Sequence, residues 1–126
     1  MTGARRRQAY RHGRASEALC RLVLRLKGYR ILASGFRAPV GEIDIIARRG
    51  KTLAIVEVKA RASLADAAES LSARQRRRIA RAASAFLALN PAAAGLAVRF
   101  DVMLVRRWRL PHHLRNAWRL EGGSLP

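Results

Sequence analysis

The stretch from Gly41 to Lys59 constrains the fold most strongly, because it has the pattern of a β-hairpin with acidic residues inside its strands. In the first run, one face of a strand carries Glu42, Asp44 and Ile46, and the other carries Ile43, Ile45 and Ala47. In the second run, the odd-numbered positions place Glu57 and Lys59 on one face. Between the runs, Gly50 supplies the positive φ that a tight turn requires.

The register across this turn decides whether the two acidic positions meet. With Arg48 opposite Lys51, Asp44 lies diagonal to Glu57, and diagonal neighbours are roughly 7 to 8 Å apart at Cα. A slip by one residue would bury one of the acids in the core, at a cost of several kcal/mol. The pattern therefore predicts two carboxylates that can bridge a hard divalent cation, with Lys59 beside them.

The spacing of Asp44 and Glu57-x-Lys59 resembles the Asp…(Glu/Asp)-x-Lys signature of the restriction-endonuclease-like superfamily, PD-(D/E)xK, a group of Mg²⁺-dependent phosphodiesterases. Five segments in order more closely resemble the bacterial YraN-like family: Gly28-Tyr29-x-Ile31-Leu32, residues 41–47, Val56-Glu57-Val58-Lys59-x-Arg61, Arg99-Phe100-Asp101-Val102 and Asn116-Ala117-Trp118. Members of that family are described as predicted nucleases related to archaeal Holliday-junction resolvases. Pro39 departs from the superfamily pattern, since it stands five residues before Asp44 rather than next to it.

This resemblance implies a fold, a cofactor and an activity. The fold is α/β, a restriction-endonuclease-like core in the order helix, three strands, helix, strand, with a mixed sheet flanked by helices. Asp44 and Glu57 would bind Mg²⁺, for which Mn²⁺ would substitute, and Lys59 would orient the attacking water or stabilise the phosphorane. The implied activity is an endonuclease that acts on branched or structured DNA. Junction-cutting relatives are two-fold dimers, so the resemblance also implies a homodimer.

Three further residues are candidates for the site. Glu17, on the predicted first helix, either pairs with Arg21 one turn later or, as the resemblance implies, contributes to the metal site. Glu42 is either a further ligand or the partner of an arginine. Gln75 is either the third residue of a capping box that begins at Ser72 or a site residue, as in some related nucleases.

The charge of the chain indicates a polyanionic partner. Lys and Arg total 26 against 8 Asp and Glu, which gives a net charge of +18. Such a charge repels itself in the folded state, and nucleic acid accounts for it better than an anionic membrane surface or a protein partner. The candidate phosphate-binding residues are Arg5, Arg6 and Arg7 near the N-terminus and Arg74, Arg76, Arg77, Arg78 and Arg81 further along.

A chain of 126 residues can bury one core, so we expect a single domain. Residues 1–14 form a basic, flexible arm, residues 15–120 the nuclease-like domain and residues 121–126 a tail. A first helix is predicted over 15–27, with an apolar stripe at positions 15, 18, 19, 22, 23 and 26 and with Glu17 on the side away from it. A second helix is predicted over 73–89, and its apolar stripe consists of Ile79, Ala82, Ala83, Phe86 and Leu87. A polar loop over 60–71 precedes the second helix.

The C-terminal part is predicted to contain a strand and a closing helix. The strand, over 97–106, is apolar on both faces and therefore central, and Asp101 within it would make a buried structural pair with an arginine or with backbone amides. The helix, over 108–120, would cap the core or form a dimer contact.

Cys20 is the only cysteine, which excludes a disulfide framework and a zinc cluster and fits a reducing cytoplasm. No apolar run approaches the ~20 residues of a membrane span, so a cytoplasmic protein is expected. Two alternatives to the enzyme remain. One is a non-catalytic nucleic-acid-binding module with a degenerate nuclease-like fold, and the other is an interaction protein attached to a larger assembly by its basic arm. The presence of Asp44, Glu57 and Lys59 together favours the enzyme.

Overall fold

The computed structural model of the protein describes residues 3–60, 65, 69–120 and 122–126, with only the backbone described for residues 3–12. The elements in chain order are α1 (Gly3–Leu26), β1 (Arg30–Ala38), β2 (Gly41–Arg49), β3 (Thr52–Ala60), α2 (Ala73–Leu89), a 3₁₀ turn (Pro91–Ala93), β4 (Ala97–Val105) and β5 (His112–Trp118). The predicted order of helix, three strands, helix and strand is confirmed, and a further strand follows it.

The five strands form one sheet in the order β1-β2-β3-β4-β5. Neighbouring strands are antiparallel except for β3 and β4, which are parallel and are joined through α2. β4 lies between β3 and β5, as its apolar sequence predicted. The mixed sheet flanked by two helices is the predicted α/β architecture and is consistent with a restriction-endonuclease-like core.

Hydrophobic side chains pack on both faces of the sheet. On one face Ile46, Ile55, Phe100 and Leu104 belong to a cluster with Ile79 and Phe86 of α2. On the other face Ile45, Val56 and Met103 belong to a cluster with Cys20 and Leu24 of α1. Because both faces are covered, the central strands are apolar on both sides. Within the described ranges, neither helix has the length and apolar character needed to cross a bilayer.

The second helix begins and ends where the sequence predicted. Ser72 Oγ accepts a hydrogen bond from the Gln75 N–H at 3.1 Å and caps the N-terminus. At the other end, Asn90 Nδ2 donates to the Phe86 carbonyl at 2.8 Å, and Pro91 then begins the 3₁₀ turn. The predicted apolar stripe of this helix faces the sheet, with Ile79 and Phe86 buried.

The turn between β2 and β3 lies one residue further along the chain than predicted. Arg49 pairs with Thr52, so only two residues form the loop, and Gly50 has a φ of 60°, as the first position of a type II′ turn requires. Arg48 consequently lies opposite Leu53 rather than Lys51. The shift is two residues, which preserves the faces of the strands.

The predicted C-terminal helix over 108–120 is wrong, because His112–Trp118 forms β5. β4 would otherwise expose a free edge of backbone N–H and C=O groups, and pairing with β5 satisfies them. The register shifts between Phe100 and Val102 of β4, and Asn116, with a φ of 54°, lies in the corresponding part of β5. Trp118 then stacks on Phe100 with 4.0 Å between ring centroids.

The first helix differs from its prediction in extent and in orientation. It begins at Gly3, so residues 3–14 have helical backbone. Its buried residues are Cys20 and Leu24, whereas Leu22 and Leu26 of the predicted stripe are 50% and 79% exposed. The predicted loop over 60–71 lies mostly outside the described residues.

Candidate functional site

The candidate residues of the hairpin lie at one end of the sheet, where β2 begins and β3 and β4 end; we call it the acidic end. The first turns of α2 also lie there. A Cβ atom at Gly41 would come within 2.5 Å of the Arg78 carbonyl oxygen, so only glycine lets α2 approach β2 this closely. The acidic end therefore joins carboxylates from the hairpin with the arginine-rich start of a helix.

Asp44 and Glu57 face each other across β2 and β3. Ile45 pairs with Val56, and the same register continued by one residue places Asp44 opposite Glu57 rather than diagonal to it. Asp44 Oδ2 accepts a hydrogen bond from the Val58 N–H at 2.8 Å, which holds the Asp44 carboxylate against β3. Both acidic side chains are half-buried.

The electrostatics of this pair are unfavourable for two negative charges. Burial, together with a hydrogen bond to Asp44 and repulsion from its carboxylate, raises the pKa of Glu57 to about 10. The Lys59 ammonium acts in the opposite direction but does not cancel these effects. At neutral pH Glu57 therefore keeps its proton unless a further cation lies between the two carboxyl groups.

Glu17 brings a third carboxyl group to the pair from α1. Burial raises the pKa of Glu17, and the charge of Asp44 and a hydrogen bond to it add to the shift, while Arg21 opposes it. Glu17 is half-buried and lies one turn before the buried Cys20, so it is on the sheet side of the helix. The expectation that it points away from the buried face is wrong, because the face that packs on the sheet includes Cys20 and Leu24.

Glu42, Lys59 and Gln75 occupy different positions around the pair. Glu42 is exposed and forms an ion pair with Arg37 at 3.8 Å, which matches the arginine-partner alternative. Lys59 is half-buried and close enough to Glu57 to influence its pKa. The backbone N–H of Gln75 donates to Ser72 Oγ, which is one of the two bonds of the predicted capping box, and the Gln75 side chain is half-buried.

The regular alternation predicted for β2 fails at Asp44. Ile43 packs in the cluster beneath α2, whereas Ile45 packs in the cluster beneath α1, although the two are only two residues apart. On β1, Gly35 lies between the partners of Ile43 and Ile45 and has a φ of 62°. Such irregularities redirect side chains and are common beside active sites.

The donor set at the acidic end fits a hard divalent cation. Within residues 3–60, 65, 69–120 and 122–126, no group of three or more His, Cys, Asp or Glu is arranged to hold a metal. Mg²⁺ commonly takes one or two carboxylates from a protein and fills its other positions with water and phosphate oxygens. Asp44 and Glu57 supply that number of carboxylates, and a cation would relieve the repulsion that raises the pKa of Glu57.

Asp101 forms a separate centre, and its predicted structural role is confirmed. It is fully buried, and its carboxylate accepts hydrogen bonds from Arg99 at 2.7 and 2.8 Å and from the Asn116 N–H at 2.9 Å. His113 Nε2 lies 2.7 Å from Asp101 Oδ2, and Lys27 Nζ lies 3.0 Å from His113 Nδ1. Burial would raise the pKa of Asp101, but these hydrogen bonds together hold it below its ordinary value.

The sequence predicted that Asp101 pairs with an arginine or with backbone amides, but it did not identify Arg99 as that arginine and did not predict the contact with His113. Arg99 is two residues before Asp101 on β4 and therefore shares its face, which is a signal that the sequence contains. The position of His113 depends on β5, which was predicted to be a helix, so no local pattern could have placed it beside Asp101.

The arginines of α2 form a basic surface next to the acidic end. Arg78 Nε donates to the Val40 carbonyl at 3.2 Å, at the turn that precedes β2. A concave surface of about 460 Å³, which we call the arginine groove, is lined by Pro39, Val40, Arg74, Arg77, Arg78 and Arg81. Arg76 instead lies over the Trp118 ring, 5.8 Å from its centroid. The side chains of Arg5, Arg6 and Arg7 lie outside the described part of the chain.

Sequence comparisons place these residues within a recognised family. The sequence model of "Uncharacterised protein family UPF0102" matches residues 16–105. The chain is 54% identical to a UPF0102 protein of Methylorubrum extorquens (strain PA1) over 120 residues, which cover 95% of this chain and 94% of the relative. It is 53% identical to a UPF0102 protein of Paramagnetospirillum magneticum (strain ATCC 700264 / AMB-1) over 117 residues, 90% and 91% of the two chains. The matched residues include Glu17, Asp44, Glu57 and Lys59.

Proposed function

The chain belongs to the uncharacterised bacterial family UPF0102, the YraN-like group, and we propose that it acts as a metal-dependent endonuclease on DNA. The observation that carries this proposal is the facing pair of Asp44 and Glu57 across β2 and β3. Burial and mutual repulsion raise the pKa of Glu57, and strongly perturbed carboxyl groups of this kind are typical of functional sites.

Each residue of the acidic end would have its own role in phosphodiester hydrolysis. Bound Mg²⁺, for which Mn²⁺ would substitute, would supply activation of a water nucleophile and neutralise charge at the scissile phosphate. Asp44 and Glu57 would hold the ion, and the Val58 N–H keeps the Asp44 carboxylate in position. Lys59 would contact the phosphate or orient the attacking water. Glu17 would support Asp44 from α1 through the hydrogen bond that they share.

The arginine groove supports DNA as the substrate. It lies at the acidic end, beside the turn before β2, and offers four exposed arginines to phosphate oxygens. Together with the net charge of +18, it provides long-range attraction for a polyanion. We propose branched or structured DNA as the substrate and the cytoplasm as the location.

A homodimer would match the two symmetric phosphates of a four-way junction. Leu22 and Leu26, which α1 leaves exposed, offer an apolar surface for such contact. The measurement is the mass by light scattering, with and without DNA. A monomer in both conditions would contradict the junction-resolvase version and leave a monomeric nuclease.

A non-catalytic nucleic-acid-binding module is the second candidate. The ion pair between Glu42 and Arg37, and the influence of Arg21 on Glu17, favour it, because arginines then neutralise part of the acidic end. Such a module would bind DNA through the same arginine groove but would need no divalent cation.

The deciding experiment incubates the protein with Mg²⁺ or Mn²⁺ and a panel of duplex, flap, single-stranded and four-way-junction DNA. Glu57→Gln and Asp44→Asn remove one ligand each with little change of shape, and Glu69→Gln removes an exposed carboxylate before α2 as the matched control. We expect cleavage by the wild type and by Glu69→Gln and at least a ~100-fold slower rate in the other two variants. Undiminished cleavage by Glu57→Gln would identify a contaminant and overturn the proposal.

A further inference from the structure

The loop between β4 and β5 carries an unusually exposed tryptophan. The loop consists of residues 106–111, and we call it the Trp108 loop. Trp108 is 92% exposed and Leu110 is 76% exposed. Tryptophan is on average well buried in folded proteins, so an indole left almost entirely in water contributes little to this fold.

The backbone of the loop holds this side chain at its tip. Trp108 has a φ of 64°, a left-handed conformation that bulky residues rarely adopt. The Arg109 N–H donates to the Arg106 carbonyl at 3.4 Å and closes a tight turn around the tryptophan. Backbone strain of this kind concentrates at binding and catalytic sites, because elsewhere a glycine or asparagine would relieve it.

The loop leaves the sheet at the acidic end. β3 and β4 are parallel, Lys59 pairs with Leu104, and Ala60 pairs with Val105, the last residue of β4. Adjacent strands are about 4.8 Å apart, and four residues extend the chain by at most ~14 Å. Trp108 therefore lies within about 20 Å of Lys59, which is less than one turn of a DNA duplex.

The charges of the loop fit a nucleic-acid partner. Arg107 and Arg109 are exposed on either side of Trp108 and can bind phosphates, while the indole offers a flat π surface to a base. Interleaved arginine and aromatic residues are typical of surfaces that bind unpaired bases, and they are absent from the arginine run of α2. The loop therefore complements the arginine groove: the groove would contact the backbone of a duplex, and the loop would contact exposed bases.

We propose that Trp108 stacks on an unpaired or splayed base at a branch point of DNA and so presents the neighbouring phosphate to the acidic end. The inference rests on the nucleic-acid-binding part of the function proposed above. In a continuous duplex every base is already stacked on its neighbours, so insertion of Trp108 there would first require unstacking. The loop would thereby make the protein favour branched over continuous DNA.

The test measures DNA binding by fluorescence anisotropy in EDTA, where no metal-dependent cleavage occurs. The probes are a four-way junction and a continuous duplex of the same length. Trp108→Ala removes the side chain, Trp108→Phe keeps an aromatic ring, and Trp108→Leu keeps apolar bulk without a π surface. Leu89→Ala is the matched control, because Leu89 is 72% exposed and lies near the opposite end of the sheet. Since Trp108 and Leu89 are both exposed, all variants should fold, and circular dichroism checks this.

We expect Trp108→Ala and Trp108→Leu to weaken junction binding roughly 5- to 150-fold, the range for loss of one base–aromatic stack. Trp108→Phe should retain most of the affinity, Leu89→Ala should bind like the wild type, and duplex binding should change by less than about 3-fold in every variant. An unchanged junction affinity in Trp108→Ala would overturn the inference. So would an equal loss on duplex and junction, or wild-type binding by Trp108→Leu.

Two further outcomes separate this inference from its alternatives. If Trp108→Ala lost binding to anionic phospholipid vesicles but kept its DNA affinity, the loop would be a membrane contact and the inference would be wrong. If the wild type cleaved no DNA but Trp108→Ala still lost junction affinity selectively, the inference would hold and the catalytic proposal would fail. Because binding is measured without metal, failure of one proposal cannot be mistaken for failure of the other.

Discussion

Two carboxylate centres lie on adjacent strands of this sheet, and their surroundings are opposite. Asp101 is fully buried, yet hydrogen bonds from His113, Arg99 and the Asn116 N–H hold its pKa below the ordinary value. Glu57 is only half-buried, yet burial and the carboxyl group of Asp44 raise its pKa to about 10. The identity of the neighbours, more than the depth of burial, therefore decides whether a carboxylate stays charged.

The different surroundings of the two carboxylate centres indicate a structural role for Asp101 and a functional role for Asp44 and Glu57. The chain compensates Asp101 with the guanidinium of Arg99 and with hydrogen bonds from His113 and the Asn116 N–H, so that centre is complete without a ligand. At the acidic end it places Asp44, Glu57 and Glu17 against one another, and Lys59 compensates only part of the charge. Repulsion among these carboxyl groups does not stabilise the fold. A divalent cation bound between them would relieve the repulsion and would also bind a phosphate.

Replacement of Asp101 should give the largest loss of stability. Asp101→Asn removes the negative charge and leaves Arg99 beside a neutral amide in a buried setting. We expect the free energy of unfolding to fall by about 3 to 5 kcal/mol, the usual cost of removing one partner of a buried pair. Urea denaturation followed by circular dichroism measures it. A loss below about 1 kcal/mol would show that the Asp101 centre does not hold the fold together.

The stability contributed by Asp101 should also depend on pH in a defined direction. Its folded-state pKa lies below the unfolded value of about 3.9, so the contribution is present above that pH and is lost as pH falls through the folded pKa. The difference in melting temperature between wild type and Asp101→Asn should therefore be constant from pH 5 to 7 and shrink toward about pH 3. A constant difference throughout would contradict the lowered pKa.

Replacement of Glu57 should have the opposite, smaller effect on stability. With a folded pKa of about 10 and an unfolded pKa of about 4.3, the folded state binds more protons between these values, so stability falls as pH rises through this window. Glu57→Gln removes that penalty and, in EDTA at pH 8, should raise the free energy of unfolding by about 1 kcal/mol or more. Glu69→Gln serves as the control. A less stable Glu57→Gln would mean that the acidic end stabilises the fold by itself.

The arginine groove should contribute to binding with little direct effect on catalysis. Arg74, Arg77 and Arg78, replaced together by Ala, should lower the slope of log affinity against log salt by about 0.9 for each phosphate that the protein no longer neutralises. Turnover at saturating DNA should change by less than about 3-fold, because the groove residues lie outside the carboxylate pair. The control replaces the exposed Arg25, Arg30 and Arg48 near the opposite end of the sheet, which lowers the net charge equally. Equal slopes in the two triple variants would assign DNA binding to net charge rather than to the groove.

The local sequence pattern was sufficient to predict α2 and the two strands of the hairpin. The limits of α2 follow from its cap at Ser72 and its end at Asn90, and the two strands of the hairpin follow from their apolar runs on either side of Gly50. The register was predicted two residues off, because a two-residue loop can contain Gly50 at its first or at its second position, and the sequence does not decide between them. That difference brought Asp44 from a diagonal to a directly facing position.

The errors concern features that depend on distant parts of the chain. Glu17 lies on the buried side of α1 because the sheet packs against Cys20 and Leu24, whereas the predicted apolar stripe contained Leu22 and Leu26, which are exposed. β5 forms because the edge of β4 needs a partner, which no local pattern reveals. The position of His113 beside Asp101 and the exposure of Trp108 both follow from β5, so neither could be predicted from the sequence.

Calorimetric titration with Mg²⁺ or Mn²⁺ in the absence of DNA tests the central claim most directly. We expect binding by the wild type and by Glu69→Gln, with a stabilisation of about 2.7 kcal/mol when the ion is at 100 times its Kd. Because Glu57 holds a proton at neutral pH, binding should release it, and the heat should change with the ionisation enthalpy of the buffer. Asp44→Asn and Glu57→Gln should abolish both the binding and the stabilisation. Equal divalent affinity in wild type and Asp44→Asn would contradict the account.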